Sequence, residues 1–188
     1  MAEMTRGEFV KCCAAGMCSC VALTVAAPGS AVAQSSDPEM DRLKWQLEAA
    51  RIRYAKLLGS LDQNVDEATR KKILDSVGRE CARQFRSRTY DKYKGDIQGF
   101  LKSIQGPDGW VEKVEYDEKA GTIRIYDRSK TCTCPLVKEG LTSAEQCDCS
   151  LGWQRETYAA ILERPVEAVV EKSILRGDKG CVFRIQIV

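Results

Sequence analysis

Six cysteines carry the chemical potential of this 188-residue chain: Cys81, Cys132, Cys134, Cys147, Cys149 and Cys181. Four of them form two Cys-x-Cys pairs, Cys132-Thr-Cys134-Pro and Cys147-Asp-Cys149-Ser-Leu-Gly-Trp153, with twelve residues between them. In an extended Cys-x-Cys both side chains lie on one side of the strand, about 6–7 Å apart, and small torsional changes aim both sulfurs at one point. Two such pairs supply the four thiolates of a tetrahedral zinc site. Zinc is therefore the candidate metal, with all six cysteines as candidate ligands. Iron–sulfur ligation is the weaker candidate, because neither familiar ferredoxin spacing is present. Disulfides are the competing use, since six cysteines in an exported chain allow three bridges in 15 connectivities.

The chain contains no histidine. That removes Ser-His-Asp and Cys-His catalysis and imidazole metal ligation together. Lys and Arg number 29 against 27 Asp and Glu, for a net charge of +2, so no charge excess points to nucleic acid or to an acidic membrane surface.

The remaining four cysteines, Cys12, Cys13, Cys18 and Cys20, lie in an apolar N-terminal stretch from Phe9 to Ala27. A helix break at Pro28-Gly29-Ser30 and an Ala31-Val32-Ala33 cleavage signal follow, which predicts an export signal over residues 1–33 with Gln34 as the new N-terminus. Thr5-Arg6-Gly7-Glu8-Phe9-Val10-Lys11 resembles the twin-arginine signal, with Gly7 in place of the second arginine. The expected destination is periplasmic or extracellular, with no stable membrane span after cleavage.

The elements that must position the thiols follow from the periodicity. Ser36-Asp37-Pro38-Glu39 reads as a capping box with proline in the first turn. Met40, Leu43, Leu47, Ala50, Tyr54 and Leu57 then mark one stripe of a helix ending near Gly59, so that residues 34–69 form an N-terminal helix and linker. A second helix is predicted from about Asp66 to Arg86, with Leu74, Val77, Cys81 and Phe85 facing inward. A short third helix carries Ile97, Phe100, Leu101 and Ile104 and stops at Gly106-Pro107-Asp108-Gly109. Trp110–Tyr116 and Thr122–Asp127 read as a hairpin, with Trp110, Val114 and Tyr116 on one face. Leu151–Leu162 reads as a helix with Cys149 or Ser150 near its N-cap, where the helix dipole favours thiolate. Val166–Lys172 and Cys181–Val188 complete the strands, with Cys181 on the buried face. The expected fold is α+β: N-terminal helices on a mostly antiparallel sheet of about four strands, with one further helix between two hairpins, and a cysteine-rich domain over residues 70–188.

Cys147-Asp-Cys149-Ser-Leu-Gly-Trp153, Val166–Ser173 and Arg176-Gly-Asp178-Lys-Gly-Cys181-Val-Phe183-Arg184-Ile resemble the C-terminal half of the L-2-amino-thiazoline-4-carboxylic acid hydrolase-like family. The Gly-Asp turn before Cys-x-Phe-Arg is also similar to the vinyl-4-reductase type of ligand-binding domain. Gly78-Arg79-Glu80-Cys81-Ala82 resembles a helical Gly-Arg-x-Cys-Ala element of cysteine-rich relatives. This resemblance spans roughly residues 70–188. It implies helices packed on an antiparallel sheet, with a small-molecule pocket near Cys181 and Asp178.

Three functions follow as expectations: an exported domain that binds a small molecule or metal through thiolates, a hydrolase of a thiazoline-type ring, and a disulfide-stabilised envelope protein. In the hydrolase, Asp148 or Asp178 would serve as base to a metal-bound water. For Asp178 the turn beside Gly177 is itself a sufficient reason for an aspartate.

Overall fold

A computed structural model describes residues 37–188, which form one compact unit. The export signal, the cleavage site and Ser36 of the capping box lie outside the described residues.

Helix α1 spans Pro38–Asn64. Asp37 caps it by accepting from the Glu39 amide at 3.0 Å, and proline occupies its first turn, where a missing N–H costs nothing. The helix does not end near Gly59. It runs through that glycine for another turn to Val65, whose amide bonds Leu61, because glycine weakens a helix interior by only about 1 kcal/mol. Helix α2, Glu67–Thr89, starts on Asp66, whose side chain accepts from the Thr69 amide.

The inward face of α2 differs from the expected one. Leu74, Gly78 and Ala82 are buried, while Val77, Cys81 and Phe85 are exposed. Size, not hydrophobicity, decides this. Gly78 and Ala82 let another helix come close enough to bury backbone, which larger side chains would prevent.

Helix α3, Ile97–Gln105, buries Phe100, Leu101 and Ile104. Strands β1, Val111–Asp117, and β2, Thr122–Asp127, form the expected hairpin. Gly121 turns it at φ +61°, a conformation that favours glycine. An irregularity between Val111 and Lys113 shifts the register, so Val111 enters the core and Trp110 stays exposed. Such a bulge reverses which neighbour faces inward, and alternation cannot foresee it.

Helix α4 spans Gln146–Leu162 and so starts five residues before the expected Leu151. Strands β3, Val166–Lys172, and β4, Val182–Ile187, follow it. The sheet is fully antiparallel in the order β1-β2-β4-β3. The fold is therefore α+β, with four α-helices and one four-stranded antiparallel sheet among the described residues. Its core joins Phe100 of α3, Tyr158 and Ile161 of α4, and Ile123, Ile125, Ala168 and Ile185 of the sheet. No helix among the described residues is long and apolar enough to cross a membrane.

Candidate functional site

The α2–α4 crossing places the thiols. A Cβ on Gly78 would lie 1.9 Å from the Cys149 carbonyl oxygen, and one on Gly152 would lie 2.1 Å from the Asp75 carbonyl oxygen. Each helix thus presents a glycine to the other's backbone. Asp75 fixes the pair further, accepting from Arg79 within α2 and from Arg155 of α4. Glu156 of α4 accepts two bonds from Arg83 of α2, at 2.8 and 3.0 Å. Cys81 lies less than one turn beyond Gly78, so its sulfur comes out beside the first turn of α4.

Because α4 begins at Gln146, the second Cys-x-Cys is helical and not extended. Residues two apart on a helix project about 200° apart, so Cys147 and Cys149 leave on opposite sides. Cys147 is buried, its Sγ 3.0 Å from the Ser173 hydroxyl oxygen. Cys149 turns toward Cys81 and Cys134, the neighbouring thiols that oppose its ionisation.

Residues 128–145 form the irregular segment carrying Cys132 and Cys134, and its own bonds shape it. The Cys132 amide donates to Glu139 Oε1 at 2.9 Å, and the Val137 amide to the Cys134 carbonyl at 3.0 Å. Helix α1 braces this segment from outside. Arg51 Nε donates to the Pro135 carbonyl at 2.7 Å, and Lys138 pairs with Glu48. The Tyr54 hydroxyl donates to Oε1 of the buried Gln146, whose amide nitrogen in turn lies 3.7 Å from Cys134 Sγ.

The six cysteines thus sit around the start of α4, some on each side of that helix. Cys81, Cys134 and Cys149 neighbour one another beside Tyr54. Cys147 and Cys181 neighbour each other near Ser173, and Cys132 lies between the groups, next to Cys134 and also to Cys181 and Cys147. All six are free thiols. Among the described residues no three or more Cys, Asp or Glu side chains are already drawn together to hold a metal. The expected cage of Cys132, Cys134, Cys147 and Cys149 is not assembled, because the helix divides its second pair.

Burial raises every thiol for which a shift is resolved. Cys132 and Cys149 are each pushed up to about 11 by burial and by neighbouring thiols. Burial also raises Cys147, against the Ser173 hydroxyl and Arg176, and it raises Cys181 and Cys81. The thiolate expected at the N-terminus of α4 is therefore not favoured. Desolvation outweighs the helix dipole, and the neighbouring sulfurs add repulsion.

Asp178 accepts from the Ser173 amide at 2.8 Å and closes the turn between β3 and β4. Asp148 is buried in the first turn of α4, and burial raises its carboxyl against Lys71, Arg70 and Arg176. Tyr54, Gln146 and Ser173 belong to the site but carried no sequence signal beyond Gln146 preceding Cys147; Tyr54 counted only as part of an apolar stripe.

No family model matches the chain, and no curated protein matches it. Among solved structures, it is similar to trafficking protein particle complex subunit 3 from Naegleria fowleri, covalently bound to palmitic acid. That likeness has a TM-score of 0.52 at 14% identity and covers 77% of this chain and 96% of the other. It is similar at a TM-score of 0.40 and 14% identity to the phenol-responsive sensory domain of the transcription activator PoxR with phenol, over 73% of this chain and 74% of that one. A vinyl-4-reductase family protein from Methanocaldococcus jannaschii matches at a TM-score of 0.38 and 13% identity, over 82% of this chain and 85% of that one. At these identities the first of the three shows a shared fold and nothing of activity.

Proposed function

We propose that this protein is an exported binding domain that holds a thiophilic metal ion through its cysteine cluster, with zinc as the first candidate. The observation that carries this reading is the gathering of six cysteines around the start of one helix. They come from α2, the 128–145 segment, α4 and the approach to β4. Clustered buried thiols oppose one another's ionisation, and a bound cation relieves that cost by taking the place of the protons. The donor set fits a soft ion in type, being all sulfur with no imidazole. Because the helix turns Cys147 and Cys149 to opposite sides of α4, the ion would take its sulfurs from one side of that helix.

Elemental analysis of the full chain, purified under reducing conditions, tests this. About one equivalent of metal should be present or readily taken up, and Cys134→Ser should release it. No metal together with six oxidised cysteines would instead leave the protein as a disulfide-stabilised domain. Export is tested by the N-terminus of the protein recovered outside the bacterial cytoplasm, which should begin at Gln34.

A further inference from the structure

We infer that the protein pairs with a second copy of itself through the N-terminal half of α1, the two helices running parallel in a short coiled coil seamed by Met40, Leu43, Leu47 and Ala50.

The first argument is that this half of the helix has no partner among the described residues. From Asp37 to Leu47 every residue is exposed. The helix meets the rest of the chain only from Glu48 onward, through the Glu48–Lys138 pair, the bond from Arg51 to the Pro135 carbonyl, and the buried Ala55 and Leu58. An arm of this kind draws little stability from propensity alone, and a solvated arm is polar on every side. Met40, Leu43 and Leu47 are instead apolar and 49%, 48% and 39% exposed. Their three- and four-residue steps put them on one face, at the a and d positions of a two-stranded coiled coil. Ala50 continues the seam. At the next position Tyr54 turns away to donate to Gln146, so the two helices part there, each to its own body.

The second argument is charge. With Met40 and Leu47 at a and Leu43 and Ala50 at d, Glu39 falls at g and Lys44 at e. In a parallel pair each g position faces an e position of the other helix, so Glu39 of each copy meets Lys44 of the other. In an antiparallel pair the e positions face one another, and these are Lys44 and Arg51, both cationic. Charge therefore selects the parallel arrangement. Within their own helix Glu39 and Lys44 make only exposed pairs, with Arg42 at 3.9 Å and with Asp41 at 3.5 Å, which are cheap to exchange. Trp45 falls at f, on the far side from the seam, and is 68% exposed.

The seam is short beside the ~1,200 Å² that a stable interface buries in total, so the dimer is a weak one. Sedimentation equilibrium of the full chain should show a monomer–dimer equilibrium with a dissociation constant of roughly 10–100 µM. Reducing conditions exclude copies joined through the exposed Cys81. Leu43→Glu and Leu47→Glu should each weaken the dimer about tenfold or more. Both positions are exposed in the single chain, so thermal unfolding of the dilute monomer should not change. Trp45→Ala should leave the dimer as it is. Glu39→Lys should weaken it, and adding Lys44→Glu should restore most of the loss. A chain that stays monomeric, a dimer indifferent to Leu43→Glu, or a charge exchange that restores nothing would overturn the inference. A monomer that adsorbs to anionic lipid vesicles, and stops doing so with Leu43→Glu and with Trp45→Ala, would overturn it too and give the arm to a membrane surface.

Discussion

The hydroxyl of Tyr158 has no hydrogen-bond partner although the residue is wholly buried in the core. Its ring packs edge-on against Phe100, with centroids 5.6 Å apart, so the aromatic body is what the core uses. An unpaired buried hydroxyl costs about 1–3 kcal/mol. Tyr158→Phe keeps the ring and removes the cost, so urea denaturation should show a variant about 1 kcal/mol more stable than the parent; a loss of stability would reveal a partner for the hydroxyl. The opposite case is Asp178, whose carboxylate holds the Ser173 amide beside the hydroxyl that meets Cys147. Asp178→Ala should cost about 1–3 kcal/mol by stranding that amide, and should speed the reaction of Cys147 with a thiol reagent as the Ser173 contact loosens.

At the scale of the element, the two glycines of the α2–α4 crossing and the glycine of α1 make contrary predictions from the same substitution. Alanine at Gly78 would drive its Cβ into the Cys149 carbonyl, a backbone atom that cannot rotate away. The helices must part, at a cost of about 3 kcal/mol. Gly59 lies inside α1 with nothing near the added carbon. Gly59→Ala should therefore stabilise the protein by up to about 1 kcal/mol. Thermal unfolding of both variants checks the pair. Because Cys149 and Cys81 ride on the crossing, Gly78→Ala should also weaken metal uptake, and Gly59→Ala should not.

For the whole molecule, the ion-pair network between α2 and α4 sets a pH dependence. Burial alone would raise Asp75, but the bonds from Arg79 and Arg155 outweigh it and hold the carboxyl below its ordinary 3.8. A depressed carboxyl contributes stability that is full above its unfolded value and is lost as pH falls through its folded value. Acid unfolding should thus steepen below about pH 4. Asp75→Asn, less stable at neutral pH, should show less of that acid loss; an unchanged acid profile would place the dependence elsewhere. Together with the Glu156 pairs, this network makes the packing of α2 on α4 the joint on which the thiol arrangement depends.

By itself the sequence determined the class of the fold and the chemical repertoire. Strand Thr122–Asp127, the helix over Ile97–Gln105 and strand Val166–Lys172 were legible because period and turn chemistry agree locally. The absence of histidine left thiols, carboxylates, Lys, Arg, Tyr and hydroxyls to build the site, and the paired cysteines put sulfur first among them. Tertiary structure decided where those sulfurs point. Gln146-Cys-Asp-Cys carries no cap, since Glu145 makes no side-chain bond to the helix, so nothing local announced that α4 begins before its cysteines. The buried face of α2 was hidden because Gly78 and Ala82 earn their place by close approach to α4, a property of two helices together. Packing therefore parted Cys147 from Cys149 on opposite sides of α4, two thiols that spacing along the chain had joined into a pair.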